Sequence, residues 1–211
     1  MASYLDRTLR SPRWAWLNRI VGPYYYSGDP PNQWLRQVMN VETEKLIEKI
    51  QPAERKVLEI SGNFWDRPGL FREYQSIGYP AYDVCAGPLS QKFDLIIAEQ
   101  VFEHIPWPYR AGKNVYEMLN PGGYFLITTP FLLKIHDFPM DCSRWTVVGM
   151  KHLLAECGFP MDEIVAGSWG NRSVVKANMG NRWVIYKKWL HSLANEEDYP
   201  IVVWALARKP L

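Results

Sequence analysis

Residues 93–105 read Phe-Asp-Leu-Ile-Ile-Ala-Glu-Gln-Val-Phe-Glu-His-Ile, and this stretch decides the fold. Its first six residues are apolar apart from one Asp, a pattern typical of a strand that is buried on both faces. The strand breaks into a polar turn, and residues 108–119 then have the pattern of a helix, which Asn-Pro-Gly-Gly ends. A buried strand followed by a turn and a helix is the repeating unit of a parallel α/β sheet.

The same alternation of strands and helices continues on both sides of residues 93–105. In chain order, we predict a helix at residues 33–51, a strand at 56–60, a short helix at 66–76, a short strand at 80–85 and the central strand at 93–98. Helices and strands then alternate. The predicted helices are residues 108–119, 146–157 and 181–195, and the predicted strands are residues 124–129, 164–169 and 201–207. This order predicts a mostly parallel sheet that is covered by helices on both faces.

A second informative stretch, residues 57–63, reads Val-Leu-Glu-Ile-Ser-Gly-Asn. It is a short buried strand whose acid, Glu59, precedes a turn of small residues. In a doubly wound sheet the ligand lies outside the carboxyl ends of the strands, and glycine lets the backbone approach it closely. The stretch is therefore compatible with a ligand site, and an ordinary strand-to-loop turn would explain the same residues.

Four stretches resemble a known enzyme family. Residues 57–63 and 93–105, together with Met-Leu-Asn-Pro-Gly-Gly-Tyr-Phe-Leu-Ile at residues 118–127, resemble motifs of the class I S-adenosylmethionine (SAM) dependent methyltransferases. Residues 141–146, Asp-Cys-Ser-Arg-Trp-Thr, open a helix that ends in Gly-Phe, which is similar to the small-molecule and saccharide enzymes of this family, the methyltransferase type 11 group. The resemblance covers about residues 55–170 and the last strand. It implies a Rossmann-like sandwich with a mostly parallel seven-stranded sheet, helices on both faces and an antiparallel last strand.

The chain departs from the family pattern at two points. The family pattern is acid-x-Gly-x-Gly-x-Gly, and read from Glu59 its glycine positions hold Ser61, Asn63 and Trp65. The acid that binds the ribose hydroxyls, expected about 20 residues after the first strand, falls on Gly78. These departures leave a second interpretation open, in which the protein keeps the fold but acts as a binding or scaffold module.

The resemblance places the cofactor SAM at the ends of three strands. The methionine end of SAM is expected to contact Glu59, Ser61, Gly62 and Asn63. The adenine is expected to contact Asp83 and Val84, and the remaining wall of the site is expected to consist of Glu99, Gln100 and Val101. Asp83 has an alternative interpretation as an ordinary Asx-turn residue beside Gly87 and Pro88.

The acceptor is expected to be a small molecule, a saccharide or secondary metabolite, that receives the methyl group on O or N. Methyl transfer requires alignment of the acceptor with SAM and, for a hydroxyl nucleophile, a base within hydrogen-bond reach. His136 and Asp141, in the loop after the Pro-Gly-Gly strand, are the catalytic candidates, and a His136 that merely caps its loop is the alternative. The expected acceptor contacts are Trp65, His136, Arg144 and Tyr25.

Composition narrows the classes of function further. The 211 residues fit one domain, residues 1–211, with an aromatic-rich helical or lid segment at residues 1–50 and a helical insertion at residues 171–199. The net charge of +2 comes without a Lys/Arg block, so nucleic acid is not an expected partner. An NAD-dependent oxidoreductase is disfavoured because the first turn lacks Gly-x-Gly-x-x-Gly.

The sequence gives weaker information about the location, metal binding and oligomeric state of the protein. No apolar run approaches the roughly 18 residues that span a bilayer, and no secretory signal is visible, so neither membrane insertion nor export is expected. Three scattered cysteines favour a reducing cytoplasm. No metal is expected, because His136, Asp137, Asp141 and Cys142 lack the spacing of usual zinc or calcium sites. Trp residues at helical spacing in the insertion are expected to pack internally or to form a homodimer face.

Overall fold

The computed structural model describes residues 32–137, 139–180 and 183–211. Tyr25, an expected acceptor contact, and the rest of the segment before residue 32 lie outside the described residues. No helix among the described residues is long and apolar enough to cross a membrane.

Six strands form one sheet in the described part of the chain. In chain order β1 to β6 are Lys56–Ile60, Glu73–Ile77, Phe93–Glu99, Leu119–Pro130, Ile164–Trp169 and Val202–Arg208. The order across the sheet is β2-β1-β3-β4-β6-β5. Strands β1 to β4 are parallel, and β6 is antiparallel to both β4 and β5. The predicted mostly parallel sheet with an antiparallel last strand is confirmed, with six strands where seven were expected.

The helices cover both faces of this sheet, as predicted. Helices α1 to α4 are Gln37–Glu48, Pro108–Met118, Val147–Glu156 and Arg172–Asn178. Helices α2 and α3 pack on one face, and α1 packs on the other. Local chemistry sets the ends of α3, because the Gly149 N–H donates to Thr146 Oγ1 at 3.1 Å and Gly158 adopts a φ of 115° after the helix.

Two predictions between β1 and β3 are wrong. Residues 66–76 form turns followed by β2, and residues 80–85 form turns where a strand was predicted. Pro68 and Gly69 interrupt the helical pattern. Strand β2 lies at the edge of the sheet and is only partly buried, so it lacks the continuous apolar run that marks the inner strands.

The predicted helix at residues 181–195 is also wrong, because the described part of this segment forms irregular turns. Its backbone is tied to the residues before α1. The Trp34 backbone N–H donates to Val184 O at 2.7 Å, and the Trp34 indole N–H donates to Ser192 O at 3.0 Å. Trp183 and Tyr186 pack on the same surface. Part of the apolar spacing that resembles a helix therefore reflects the packing of Trp183 and Tyr186 on the surface around α1, whereas Trp189, Leu190 and Leu193 are exposed.

Trp65 takes the place of a helix between β1 and β2. Residues 61–72 contain no helix, although parallel strands are usually joined by one. The Trp65 side chain is fully buried in a cluster with Ile47 of α1 and Leu95 of β3. One large side chain thus fills a volume on this face of the sheet that a helix would otherwise cover.

The substitution Trp65→Ala is expected to lower the free energy of unfolding by about 3–5 kcal/mol, because it removes a fully buried indole and leaves a cavity. Trp189→Ala is the matched control, since the Trp189 side chain is 81% exposed, and its effect is expected to stay within about 0.5 kcal/mol. Denaturant unfolding of both variants measures the difference. Equal effects would show that Trp65 does not stabilise the core.

Candidate active site

The candidate site lies where β1, β3 and β4 end side by side. The carboxyl ends of parallel strands meet at one edge of a sheet, and ligands of such folds bind there. Three segments converge at this edge: the first turn, defined as residues 61–65, the residues 99–105 after β3, and the acceptor loop, defined as residues 131–146.

The Glu59 carboxylate organises the first turn. It accepts hydrogen bonds from the backbone N–H groups of Phe64 and Trp65, at 3.1 and 3.0 Å, and from the Tyr74 hydroxyl at 2.6 Å. Burial raises the pKa of Glu59, and the hydrogen bonds from Tyr74 and Trp65 oppose that rise. The turn and β2 thus use the oxygens of Glu59, so that this residue orients the backbone around a ligand.

The first turn has the tight geometry that usually requires glycine. Ser61 adopts a φ of 59°, which is uncommon for a residue other than glycine. A Cβ atom at Gly62 would lie 2.3 Å from Glu59 Oε1. Ser61 and Asn63 are exposed. The turn therefore presents backbone and small polar side chains to solvent, as a ligand-binding turn would.

Gly78, which immediately follows β2, has no room for a side chain. A Cβ atom at this position would lie 2.8 Å from Ser61 Oγ and 2.9 Å from Ser61 Cα. The Ser61 N–H also donates to Ile77 O at 2.9 Å, which holds the two segments together. The acid that the family pattern places at the end of this strand is thus excluded by the close approach of the first turn.

Asp83 and Val84 lie in the connection between β2 and β3. Asp83 is exposed, and its Oδ1 accepts the Cys85 N–H at 2.8 Å, which is an Asx-turn. Asn114 of α2 donates to Val84 O at 2.7 Å and fixes the backbone of this loop. The turn uses only one carboxylate oxygen of Asp83, so the other oxygen is compatible with an adenine contact.

Glu99 is the last residue of β3, and Gln100 and Val101 follow it. The contacts of Glu99 connect the first turn to the residues before α1. Glu99 forms an ion pair with Arg36, and the indole N–H of Trp65 donates to Glu99 Oε2 at 3.2 Å. Gln100 adopts a φ of 56° and donates from Nε2 to a threonine of β4. Trp65, expected at the acceptor, thus lies in the core behind Glu99.

In the acceptor loop, Asp141 holds other residues in position. The Arg144 guanidinium donates hydrogen bonds to both carboxylate oxygens of Asp141, and the His136 backbone N–H donates to Asp141 Oδ2 at 2.9 Å. Burial alone would raise the pKa of Asp141, but the hydrogen bonds from Arg144 and His136 outweigh it and the pKa is lowered. An ionised, fully engaged carboxylate of this kind positions the loop and is poorly suited to accept a proton.

Three side chains that the sequence does not group together meet beside this loop. Glu103 and His104 come from the turn after β3, and His136 comes from the acceptor loop after β4. One ligand atom from each side chain lies within 4.8 Å of the other two, and the imidazole centroids are 4.9 Å apart. We refer to these three residues as the Glu103 cluster. The sequence offered one signal for it, because residues after adjacent parallel strands meet at the same edge.

The Glu103 cluster contains buried polar atoms without partners. Both carboxylate oxygens of Glu103 and the Nε2 atom of His136 are buried and have no hydrogen-bond partner. Burial raises the pKa of Glu103 to about 8, and burial together with the neighbouring His104 lowers the pKa of His136. Unsatisfied buried polar groups are rare and costly in folded proteins, so their concentration at the same edge of the sheet as the first turn makes this region a candidate functional site.

The comparison of the sequence with known families gives one match. The family described as "Methyltransferase domain" matches residues 18–162, which is more than half of the chain. The protein therefore belongs to the methyltransferase domain family. No curated protein matches the sequence significantly.

Solved structures share the fold at low sequence identity. A SAM-dependent methyltransferase from Archaeoglobus fulgidus is 14% identical with a TM-score of 0.51, and the match covers 82% of this chain and 94% of that one. A phosphoethanolamine N-methyltransferase from Haemonchus contortus, bound to S-adenosylhomocysteine, is 14% identical with a TM-score of 0.55 over 100% of this chain and 61% of that one. A methyltransferase from Haloferax volcanii in complex with its activator Trm112 is 12% identical with a TM-score of 0.51, covering 93% and 95%.

The family match and the fold together identify a class I SAM-dependent methyltransferase. The family, the enzyme class and the cofactor predicted from residues 93–105 and 118–127 are confirmed. The predicted contacts with SAM and with the acceptor, residue by residue, stay predictions.

The substitution Gly78→Ala is expected to lower the free energy of unfolding by about 1–3 kcal/mol, because the added methyl group overlaps the backbone of Ser61. Gly87→Ala is the control, since a Cβ atom there meets nothing within 4 Å, and it is expected to change stability by less than about 0.5 kcal/mol. Thermal and denaturant unfolding measure both. A neutral Gly78→Ala variant would contradict the tight contact between β2 and the first turn.

Proposed function

We propose that the protein transfers the methyl group of SAM to an oxygen or nitrogen atom of a small-molecule acceptor, a saccharide or a secondary metabolite. The observation that carries this proposal is the position of the Glu103 cluster. Its unpartnered atoms lie at the same edge of the sheet as the first turn. An acceptor at the cluster would therefore lie next to a cofactor held by that turn.

In this proposal SAM spans the ends of β1, β2 and β3. The backbone of Ser61, Gly62 and Asn63, oriented by Glu59, holds the methionine end. Ser61 Oγ occupies the space that a side chain at residue 78 would need, so this hydroxyl and the nearby backbone hold the ribose. The remaining expected contacts are Asp83 and Val84 at the adenine, and Glu99, Gln100 and Val101 along the wall.

The acceptor loop binds and activates the acceptor. His136 faces the nucleophile with Nε2 and accepts its proton, while Asp141 and Arg144 hold the loop in place. The methyl group passes in line from the sulfonium sulfur to the acceptor, and SAM leaves as S-adenosylhomocysteine. Alignment supplies much of the rate in such a transfer, which is why a rigid, ion-paired loop favours this chemistry.

Asp83→Asn separates the two interpretations of this residue. An asparagine oxygen can still accept the Cys85 N–H, so the Asx-turn and the stability are expected to persist. Its amide N–H₂ then faces the adenine amino group, donor against donor. We expect S-adenosylhomocysteine to bind about tenfold more weakly, consistent with the loss of a hydrogen bond to a charged group. Calorimetric titration at unchanged melting temperature tests this, and undiminished affinity would assign Asp83 to the turn alone.

His136→Ala is expected to lower kcat by about 10²- to 10⁴-fold, the usual contribution of a positioned acid or base. Affinity for SAM is expected to change by less than about twofold, because His136 lies on the acceptor side. His152→Ala is the matched control, since His152 is exposed on α3. The assay incubates a metabolite extract with isotope-labelled SAM and detects the labelled product by mass spectrometry.

Two results would overturn the proposed function. Binding of SAM without transfer to any small molecule would favour the scaffold interpretation, in which the fold retains the cofactor but not the reaction. Labelling of protein or nucleic acid in the same extract, with no labelled small molecule, would replace the acceptor class.

A further inference from the structure

The Glu103 cluster has the composition and the geometry of an open metal site. Its three side chains offer one carboxylate and two imidazoles, with ligand atoms within 4.8 Å of one another. We propose that Glu103, His104 and His136 bind one divalent transition-metal ion. The comparisons and the family resemblance assign no metal to this chain, and the sequence alone predicts none.

Unpartnered atoms point into the cluster from two directions. Glu103 is fully buried, and neither of its carboxylate oxygens has a hydrogen-bond partner. His136 Nε2 is likewise buried and unpartnered. Leaving such atoms unsatisfied is costly. A cation between them would satisfy the carboxylate and the ring nitrogen at once.

His104 has the orientation that metal-binding histidines usually adopt. Its Nδ1–H donates to the backbone oxygen of Met140, which fixes the tautomer because a carbonyl can only accept. Nε2 is thus the ring nitrogen left to bind a metal ion, and this atom lies 3.7 Å from Glu103 Oε1. Metal-ligating histidines typically donate their other ring N–H to a carbonyl or carboxylate in this way.

The backbone around the cluster is already tied down. The Cys142 N–H donates to Glu103 O at 2.7 Å, so the acceptor loop is fastened to the turn after β3. Ligand atoms bound about 2 Å from a tetrahedral ion lie about 3.3 Å apart. Side-chain shifts of about 1 Å would therefore bring all three atoms onto one ion without moving the backbone.

No arginine or lysine among the described residues forms an ion pair with Glu103, although the charges of Arg144 and Arg36 favour its ionised form. Arg144 is engaged with both oxygens of Asp141, and Arg36 is engaged with Glu99. Without such a pair, burial favours the neutral carboxylic acid, and the carboxylate form requires a nearby positive charge. A divalent cation would supply that charge where no arginine or lysine forms an ion pair.

The ligand set selects the class of metal. Two imidazoles and one carboxylate suit Zn²⁺, Fe²⁺ or Mn²⁺, whereas Mg²⁺ and Ca²⁺ prefer oxygen ligands throughout. Three protein ligands leave coordination positions open, which is typical of reactive sites and not of structural ones. The open positions would face the acceptor.

The role of the cation, unlike its binding, rests on the proposed methyl transfer. A bound cation would hold an acceptor hydroxyl and stabilise its alkoxide as a Lewis acid. The hydroxyl proton passes to water, and the oxygen forms the bond to the methyl carbon. The carbon–sulfur bond breaks, its electron pair returns to sulfur, and S-adenosylhomocysteine leaves. His136 then acts as a ligand, and the cation takes over the activation of the nucleophile.

Metal binding is tested without SAM. Protein freed of metal with EDTA and dialysed is titrated with ZnCl₂ by calorimetry and with CoCl₂ by visible absorption, which reports imidazole ligands. One site is expected. Glu103→Gln and His136→Ala are expected to weaken binding by at least about 100-fold, more than the loss of an outer-shell partner does. His152→Ala is the control and is expected to bind as the unmodified protein does.

Absence of saturable binding, or equal binding by the Glu103→Gln and His136→Ala variants, would overturn the site. The role is tested separately, by measuring methyl transfer and SAM affinity before and after chelation. Chelation is expected to abolish transfer and to leave SAM binding unchanged, and full transfer by metal-free protein would overturn the role. If no transfer occurs in any state while Zn²⁺ binds, the proposed function fails and the metal site stands.

Discussion

The buried carboxylate of Glu59 is the interaction on which the cofactor side of the structure depends. Glu59 lies one residue before the end of β1, and its two oxygens accept hydrogen bonds from the backbone of the first turn and from Tyr74 of β2. These bonds replace the order that a helix after β1 would provide. They also place Gly62 against the carboxylate, where only a residue without a side chain fits.

Trp65 carries this arrangement across to the other strands. Its backbone N–H binds Glu59, its ring fills the core against α1, and its indole N–H reaches Glu99 at the end of β3. Glu99 in turn pairs with Arg36 before α1. One side chain therefore connects the turn after β1 with the turn after β3, and these are the two turns between which a cofactor of this fold lies.

On the acceptor side, the polar side chains differ in whether they have partners. Asp141 and Arg144 pair with each other and hold the acceptor loop, whereas both carboxylate oxygens of Glu103 and Nε2 of His136 are buried without a hydrogen-bond partner. Paired charged side chains hold the loop rigid, whereas unpaired polar atoms remain able to bind a ligand. The contrast favours chemistry at Glu103 and His136 over chemistry at Asp141, although the sequence makes both His136 and Asp141 catalytic candidates.

The sequence predicts the inner sheet well because buried parallel strands carry their own signature. The inner parallel strands β1 and β3 lie within a residue of the predicted bounds, as do the antiparallel strands β5 and β6 and the helices α2 and α3, whereas β4 begins at Leu119, before its predicted start at residue 124. The edge strand β2 and the segment at residues 183–195 were predicted wrongly. Their residues are partly exposed or docked on α1, so periodicity carries no information about their backbone. Trp65 is similar, because no local pattern reveals that an indole fills the space of a helix.

By itself, the sequence determined the family, the cofactor and the positions of the inner strands along the chain, since these follow from contiguous motifs whose chemistry is local. Only the tertiary structure decided that Gly78 must lack a side chain, because the constraint is the approach of Ser61 from another strand end. It also decided the Glu103 cluster, in which residue 136 lies more than thirty positions along the chain from residue 103. Such groups meet only because parallel strands bring their carboxyl ends to one edge of the sheet.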